Sequence, residues 1–293
     1  ENYEFIPQKS THVRTLIPLP DEPKISVVMV SYNQVHYIRT AIESVLNQDY
    51  DNIELLIIDS VSTDGTIELV EELMKTDSRI RLLSEEDKAP LDAMHKGLHL
   101  ATGHLLAIQT TSDYYCPGAF SQAVEEFRQN PKLFAVGGQC PEINADGSQR
   151  ACPEDSWYTE ATQLTVEDAL MWRHPPMQAS FFRREALFAY GGFDSRFHSC
   201  HSAFFLHFIL EGMQIGGEIW IVPKKWGVFR RHENADHTLV QQNCQDVFQE
   251  RGMAAKHASM VFSQVLSPEQ IASYDTIQQA NVPSVAAPIK SWI

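Results

Sequence analysis

Several things are missing from this 293-residue chain. No stretch reaches the ~18 consecutive apolar residues that a membrane-spanning helix needs. Positive charge is scarce, with 23 Lys and Arg against 38 Asp and Glu, for a formal net charge of −15. Such a surface repels a nucleic-acid backbone, so general nucleic-acid binding is not expected, and only a local basic patch is left to meet phosphate. Cysteines are few, odd in number and widely spaced: Cys116, Cys140, Cys152, Cys200 and Cys244. Without a C-x-x-C pair they build neither a disulfide framework nor a cysteine zinc site, and they point to a reducing compartment. No charged-then-apolar signal segment opens the chain. The start at Glu1 is expected of a trimmed or excised piece, from which targeting signals can be missing. G-x-G-x-x-G and G-x-x-x-x-G-K-[ST] are both absent after the first strand pattern, which removes the dinucleotide-binding and P-loop readings. There is no internal repeat and no low-complexity tract.

What is present is a large apolar fraction, 43%, in short periodic blocks. Residues 1–24 hold no period and include four prolines, so they read as an extended lead-in. "ISVVMV" (25–30) is a β-branched apolar run of buried-strand type. Ile38, Ala41, Ile42, Val45 and Leu46 then fall on one face of a helix. "IELLIID" (53–59), "IRLLSE" (80–85) and "LLAIQT" (105–110) read as further strands. A helix carrying Leu69, Val70, Leu73 and Met74, and another near 90–101, separate them. This alternation predicts a mostly parallel sheet covered by helices on both faces. Pro117 reads as the first turn of a helix with Phe120, Val124 and Phe127 on one side. "LFAVGGQ" (133–139) reads as a strand. Thr165 and Asp168 have capping-box spacing, and the apolar "SAFFLHFIL" (202–210) predicts a buried helix. Residues 241–293 are expected to form a helical extension, with Ser267-Pro268-Glu269 opening one helix.

In an open parallel sheet, ligands bind beyond the carboxyl ends of the strands. Those ends carry Ser31-Tyr32-Asn33, Asp59 and residues 110–113. A carboxylate at Asp59 has two readings: it accepts hydrogen bonds from a bound base or sugar, or it caps the turn that follows.

The blocks at these ends are similar to those of the family 2 glycosyltransferases, which have the GT-A fold. The match spans roughly 24–235. It runs through "ISVVMVSYNQVHYIRTAIESVLNQDYDNIELLIIDSVSTDGT", "SEEDKAPLDAMHKGLHLATGH" (84–104), "TTSDYYCPGA" (110–119), "QASFFRREALFAYGGFD" (178–194) and "FRRH" (229–232). The resemblance implies a single α/β domain over 25–240, with a nucleotide-sugar half (25–113) and an acceptor half (114–240). It implies transfer from a nucleotide-diphosphate sugar to a hydroxyl of a glycan or lipid-linked acceptor, with inversion and with a divalent metal, Mn²⁺ or Mg²⁺. The residue matching Asp59 binds the base. Ser31 and Asn33 match residues that line the same pocket, Asp92 lies nearby, and Lys88 and Thr111 belong with the donor. Asp113 and His232 match metal ligands. The chemistry is coherent, because a departing diphosphate develops negative charge that a Lewis acid held by hard oxygen ligands offsets. Lys88, Arg230 and Arg231 are candidates to meet phosphate, or solvated surface charges. The implied setting is the cytoplasm, at the inner face of the membrane if the acceptor is lipid-linked.

Three places depart from the family pattern. The metal motif reads Thr110, Thr111, Ser112 and Asp113, with one carboxylate where two are usual. After "GGFD" no acid stands where the catalytic base belongs. His201 lies at about that spacing, either as a general base or as a cap on the buried helix. Ser60 and Val61 replace a more acidic or glycine-rich pair. Two functional readings follow: an active inverting transferase, or a degenerate domain that binds a nucleotide sugar or a partner without turnover. "EIWIVPKKWGVF" (218–229) reads as a core strand with a solvated turn, or as a contact with a membrane surface.

Overall fold

The computed structural model describes residues 16–87, 90–150, 159–165, 168–169, 174–185, 209, 212–213 and 216–232. The β-branched runs form the centre of an eight-stranded sheet. β1 (Ile25–Ser31), β2 (Ile53–Asp59), β3 (Ile80–Ser84) and β4 (Leu105–Thr110) are parallel, joined by α1 (Ile38–Leu46), α2 (Thr66–Met74) and α3 (Pro90–Leu100). After β4 come β5 (Tyr114–Tyr115), α4 (Ala119–Gln129), β6 (Leu133–Gln139), β7 (Glu142–Asn144), β8 (Thr162–Gln163), β9 (Ser180–Arg183), β10 (Glu218–Lys225) and β11 (Gly227–Arg231). The sheet order is β3-β2-β1-β4-β9-β6-β10-β8. β9 and β8 run against the other six strands. A second, three-stranded sheet, β5-β11-β7, stands beside the end of β4.

All seven residues of β2 are buried, as expected of a strand with helices on both faces. α1 buries Ile38, Ala41, Ile42 and Val45, the face read from its periodicity. α3 lies so close to the sheet that a Cβ at Gly97 would stand 2.3 Å from Val28 Cγ1 and 2.9 Å from Ile58 Cγ1. That approach accounts for glycine in "DAMHKG". Aromatic rings fill the space under α4. Phe120 meets Tyr115 and Phe181 edge-on at 4.9 and 5.3 Å, and Trp226 meets Phe181 at 5.7 Å.

The buried Arg183 ties the lead-in to the sheet. Its guanidinium donates to the carbonyls of Leu133, Ile17 and Pro131, at 2.7, 2.7 and 3.1 Å. Thr165 and Asp168 form a reciprocal capping box, with Thr165 N–H donating to Asp168 Oδ2 at 3.0 Å and Asp168 N–H to Thr165 Oγ1 at 3.1 Å. One boundary differs from the sequence reading. α4 begins at Ala119, not Pro117, because Gly118 takes a left-handed conformation (φ 79°) as its N-cap. Within "EIWIVPKKWGVF", Trp226 is fully buried and donates to Gln122, and Lys224 pairs with Glu126 at 2.8 Å. Among the described residues no helix is long and apolar enough to cross a membrane. Residues 241–293 lie outside the described residues.

Candidate active site

The order 3-2-1-4 reverses between β1 and β4, and such a reversal opens a crevice at the carboxyl ends of the strands. Strand register sets the residues there side by side. Ser31 pairs with Asp59 and Asp59 with Ser84. Thr111 lies one residue beyond the Val30–Thr110 pair on the other flank of β1. Ser31 is 5% exposed, and its Oγ is buried with no hydrogen-bond partner among the described residues. Thr111 is buried as well.

Asp59 is fully buried, and its carboxylate is held by the turn that follows. Ser62 N–H donates to Oδ1 at 2.7 Å and Ser62 Oγ to Oδ2 at 2.6 Å. The capping reading of Asp59 therefore describes this structure. The turn is in turn clamped to the loop after β1. Asn33 N–H donates to Ser62 Oγ at 2.7 Å, Thr63 N–H to Asn33 Oδ1 at 2.9 Å, Gln34 N–H to Thr66 Oγ1 at 3.0 Å, and Val35 N–H to Asp64 Oδ2 at 3.0 Å. Burial raises the Asp64 pKa, but the hydrogen bonds from Thr66 and Val35 outweigh it and hold the carboxyl below its usual value. Asn33 and Val61 both have positive φ, 52° and 58°. Asn tolerates this region, whereas a β-branched residue does not. Val61 is thus a strained position next to Asp59, held by the clamp around it.

The second block contributes a charged cluster. Lys96 Nζ lies 2.7 Å from Asp87, 2.9 Å from Glu85 and 3.7 Å from Asp92. Burial lowers the Lys96 pKa, but its pairing with Asp87 and Glu85 prevails and raises it. Asp87 also accepts a short hydrogen bond from Ser60 Oγ, so this cluster reaches the turn after Asp59. Asp92 is half-buried at the start of α3.

At the end of β4, Asp113 is fully buried. Its Oδ2 accepts from Thr110 Oγ1 at 2.6 Å and its Oδ1 from the backbone N–H of Arg230 at 2.8 Å. The ring of His232 packs against Tyr37, centroids 4.9 Å apart. Among the described residues no three His, Cys, Asp or Glu side chains form a group that could hold a metal ion. Asp113 is the one carboxylate among residues 110–113, and each of its oxygens accepts one protein hydrogen bond. Arg231 lies 2.5 Å from Glu142 and is a structural ion pair. Lys88 and His201 lie outside the described residues.

Sequence reasoning passed over Ser62, Asp64, Asp87, Lys96 and Tyr37. For Lys96 a signal was available, since Asp92 and Lys96 have i, i+4 spacing on a helix. For Tyr37 there was none.

A sequence profile described as "Glycosyl transferase family 2" matches residues 26–210, and the chain belongs to that family. It is 30% identical over 150 residues to the putative teichuronic acid biosynthesis glycosyltransferase TuaG of Bacillus subtilis, covering 51% of this chain and 58% of that one. These matches cover less than two thirds of the relative's own length, 58% for TuaG and 14% for the chondroitin synthase of Pasteurella multocida. Two solved structures share its GT-A fold. One is S. aureus TarS 1–349 in complex with UDP-GlcNAc, with TM-score 0.65, 16% identity, and coverage of 89% of this chain and 82% of that one. The other is the mannosyltransferase PcManGT from Pyrobaculum calidifontis in complex with GDP-Man and Mn²⁺, with TM-score 0.62, 19% identity, and coverage of 92% and 79%.

Proposed function

We propose that the chain is an inverting glycosyltransferase that moves a sugar from a nucleotide-diphosphate sugar to a hydroxyl of a glycan or lipid-linked acceptor. The observation that carries this reading is Ser31. A buried hydroxyl without a partner costs free energy unless something bonds it, and this one sits at the strand reversal of a family 2 glycosyltransferase. The TarS and PcManGT complexes hold UDP-GlcNAc and GDP-Man on the same fold. In the proposed pocket Ser31 and Thr111 supply hydroxyls. Asn33 and Asp59 shape the loops against which the nucleotide lies, and Asp92 and Lys88 complete its rim. The acceptor oxygen bonds to the anomeric carbon as the bond from that carbon to the diphosphate oxygen breaks. The electron pair leaves with the nucleoside diphosphate, and the acceptor proton passes to a base, for which His201 is the proposed residue. Asp113 and His232 would hold a divalent cation, Mn²⁺ or Mg²⁺, which would offset the negative charge that develops on the departing diphosphate. The proposed setting is the cytoplasm, at the inner face of the membrane for a lipid-linked acceptor.

One observation favours a second reading, a domain that binds a nucleotide sugar without turnover. Asp113 is the single acid among residues 110–113, where the family pattern has two carboxylates. A panel of nucleotide sugars, with and without Mn²⁺ and with candidate acceptors, separates the two when both binding and nucleotide release are scored. The transferase reading expects one donor to bind and to release its nucleotide on acceptor addition. Binding without release from any donor supports the second reading. No binding of any donor removes both.

A further inference from the structure

We propose that Val61 is an apolar contact for the nucleobase of the donor, held in place against backbone strain. The proposal deepens the nucleotide-sugar reading above and rests on it. Three residues in the adjoining loops after β1 and β2 have positive φ: Asn33 at 52°, Val61 at 58° and Gly65 at 98°. Glycine adopts this region freely and asparagine tolerates it. A β-branched residue there is an outlier that costs free energy. Packing of the side chain could offset that cost, but Val61 is 44% exposed and recovers little from burial.

The strain has no easy route to relax, because both chain neighbours of Val61 are fixed. Ser60 N–H donates to the Ser31 carbonyl at 2.9 Å, and Ser60 Oγ donates to Asp87. Ser62 is bonded twice to Asp59 and accepts from Asn33 N–H. An outlier that its surroundings over-determine in this way is a mark of function.

The location and the chemistry supply the rest of the argument. Ser31 and Asp59 are register partners at the carboxyl ends of β1 and β2. Tyr32 follows the first by one residue and Val61 the second by two, and Tyr32 is 60% exposed. The other exposed large apolar side chains among the described residues are Ile17 in the lead-in and Met74 and Leu100 at the last positions of α2 and α3. Exposed apolar surface at the strand ends is therefore confined to the crevice. The ribose, the diphosphate and the sugar of a donor are polar, and the flat face of the base is its one broad apolar surface. Burial of that face against Val61 removes apolar area of both from water.

The test is calorimetry of UDP, GDP and dTDP with Mn²⁺ present, together with thermal denaturation, on wild type, Val61→Gly and Val61→Thr. Val61→Gly removes both the strain and the apolar surface. Val61→Thr keeps the β-branch and its strain and replaces a methyl by a hydroxyl. The diphosphate that binds wild type should bind Val61→Gly about three- to thirty-fold more weakly, as expected for part of a valine side chain taken from water. Val61→Thr should fall between the two. The melting temperature should rise by about 2–4 °C for Val61→Gly and stay close to wild type for Val61→Thr. A residue with a purely structural role would move stability and affinity in the same direction. Unchanged or tighter binding to Val61→Gly overturns the proposal and leaves the nucleotide-sugar reading standing. So does a Val61→Thr protein that binds like wild type while Val61→Gly does not, because loop rigidity would then be the cause. A melting temperature that fails to rise for Val61→Gly removes the strain and overturns the proposal as well. Wild type that binds none of the three diphosphates overturns both readings.

Discussion

Asp59 and Ser62 are joined twice, through Ser62 N–H to Oδ1 and Ser62 Oγ to Oδ2. The same Ser62 Oγ accepts from Asn33 N–H. One hydroxyl thus links the end of β2 to the loop after β1, across the crevice where the nucleotide is proposed to lie. Ser62→Ala leaves an Asn33 N–H and an Asp59 oxygen without that partner. Urea denaturation should show a loss of about 1–3 kcal/mol. Calorimetry should show weaker diphosphate binding for Ser62→Ala and for Asp59→Ala. Unchanged affinity in a folded Asp59→Ala protein would make Asp59 a turn residue alone.

Glu54 predicts the acid limb of stability. It is 6% exposed, at the far end of β2 from the crevice. Burial pushes its pKa up. Hydrogen bonds from Ser26 at 2.5 Å, Lys24 at 2.9 Å and Thr102 N–H at 2.7 Å more than offset this, and hold it at about 2 against an ordinary 4.5. The folded pKa is the lower one, so the stabilisation is complete above pH 4.5 and is lost as pH falls toward 2. Its size is on the order of 3 kcal/mol. Urea midpoints measured across this range should fall for wild type and vary less for Glu54→Gln. Parallel curves for the two proteins would assign the acid limb to other groups.

Gly97→Ala tests the approach of α3 to the sheet. The added methyl meets Val28 and Ile58, both fully or almost fully buried. Overpacking of this kind costs about 1–3 kcal/mol, although alanine favours the helix by about 1 kcal/mol at an exposed site. Thermal denaturation should show a net loss. A raised melting temperature would mean that the helix shifts freely and the contact is not tight.

His201→Ala addresses the proposed base. A positioned general base contributes about 10²–10⁴-fold, and kcat should fall by that factor with donor affinity retained. A variant that turns over normally makes His201 a cap and places the base elsewhere.

Much of the first half was legible in the sequence. The strands at 25, 53, 80 and 105 and the helices between them have periods that are set locally, by which side of each segment must leave water. The capping box at Thr165 and Asp168 was legible for the same reason, since all of its hydrogen bonds span three residues. The start of α4 was not. Pro117 and Gly118 both suit the entry to a helix, and only the backbone geometry of Gly118 decided between them.

The sequence by itself determined the family, the strand–helix alternation and the polar residues at strand ends, because blocks and periods are properties of neighbours along the chain. Tertiary structure decided what those polar residues do. It inserted β9 antiparallel between β4 and β6, buried Asp113 against a residue 117 positions later, and paired Arg231 with Glu142 while leaving Arg230 among tyrosines and carbonyls. Two adjacent arginines look alike in a sequence. Their partners come from distant segments, and which of those segments the fold brings beside each decides what it meets.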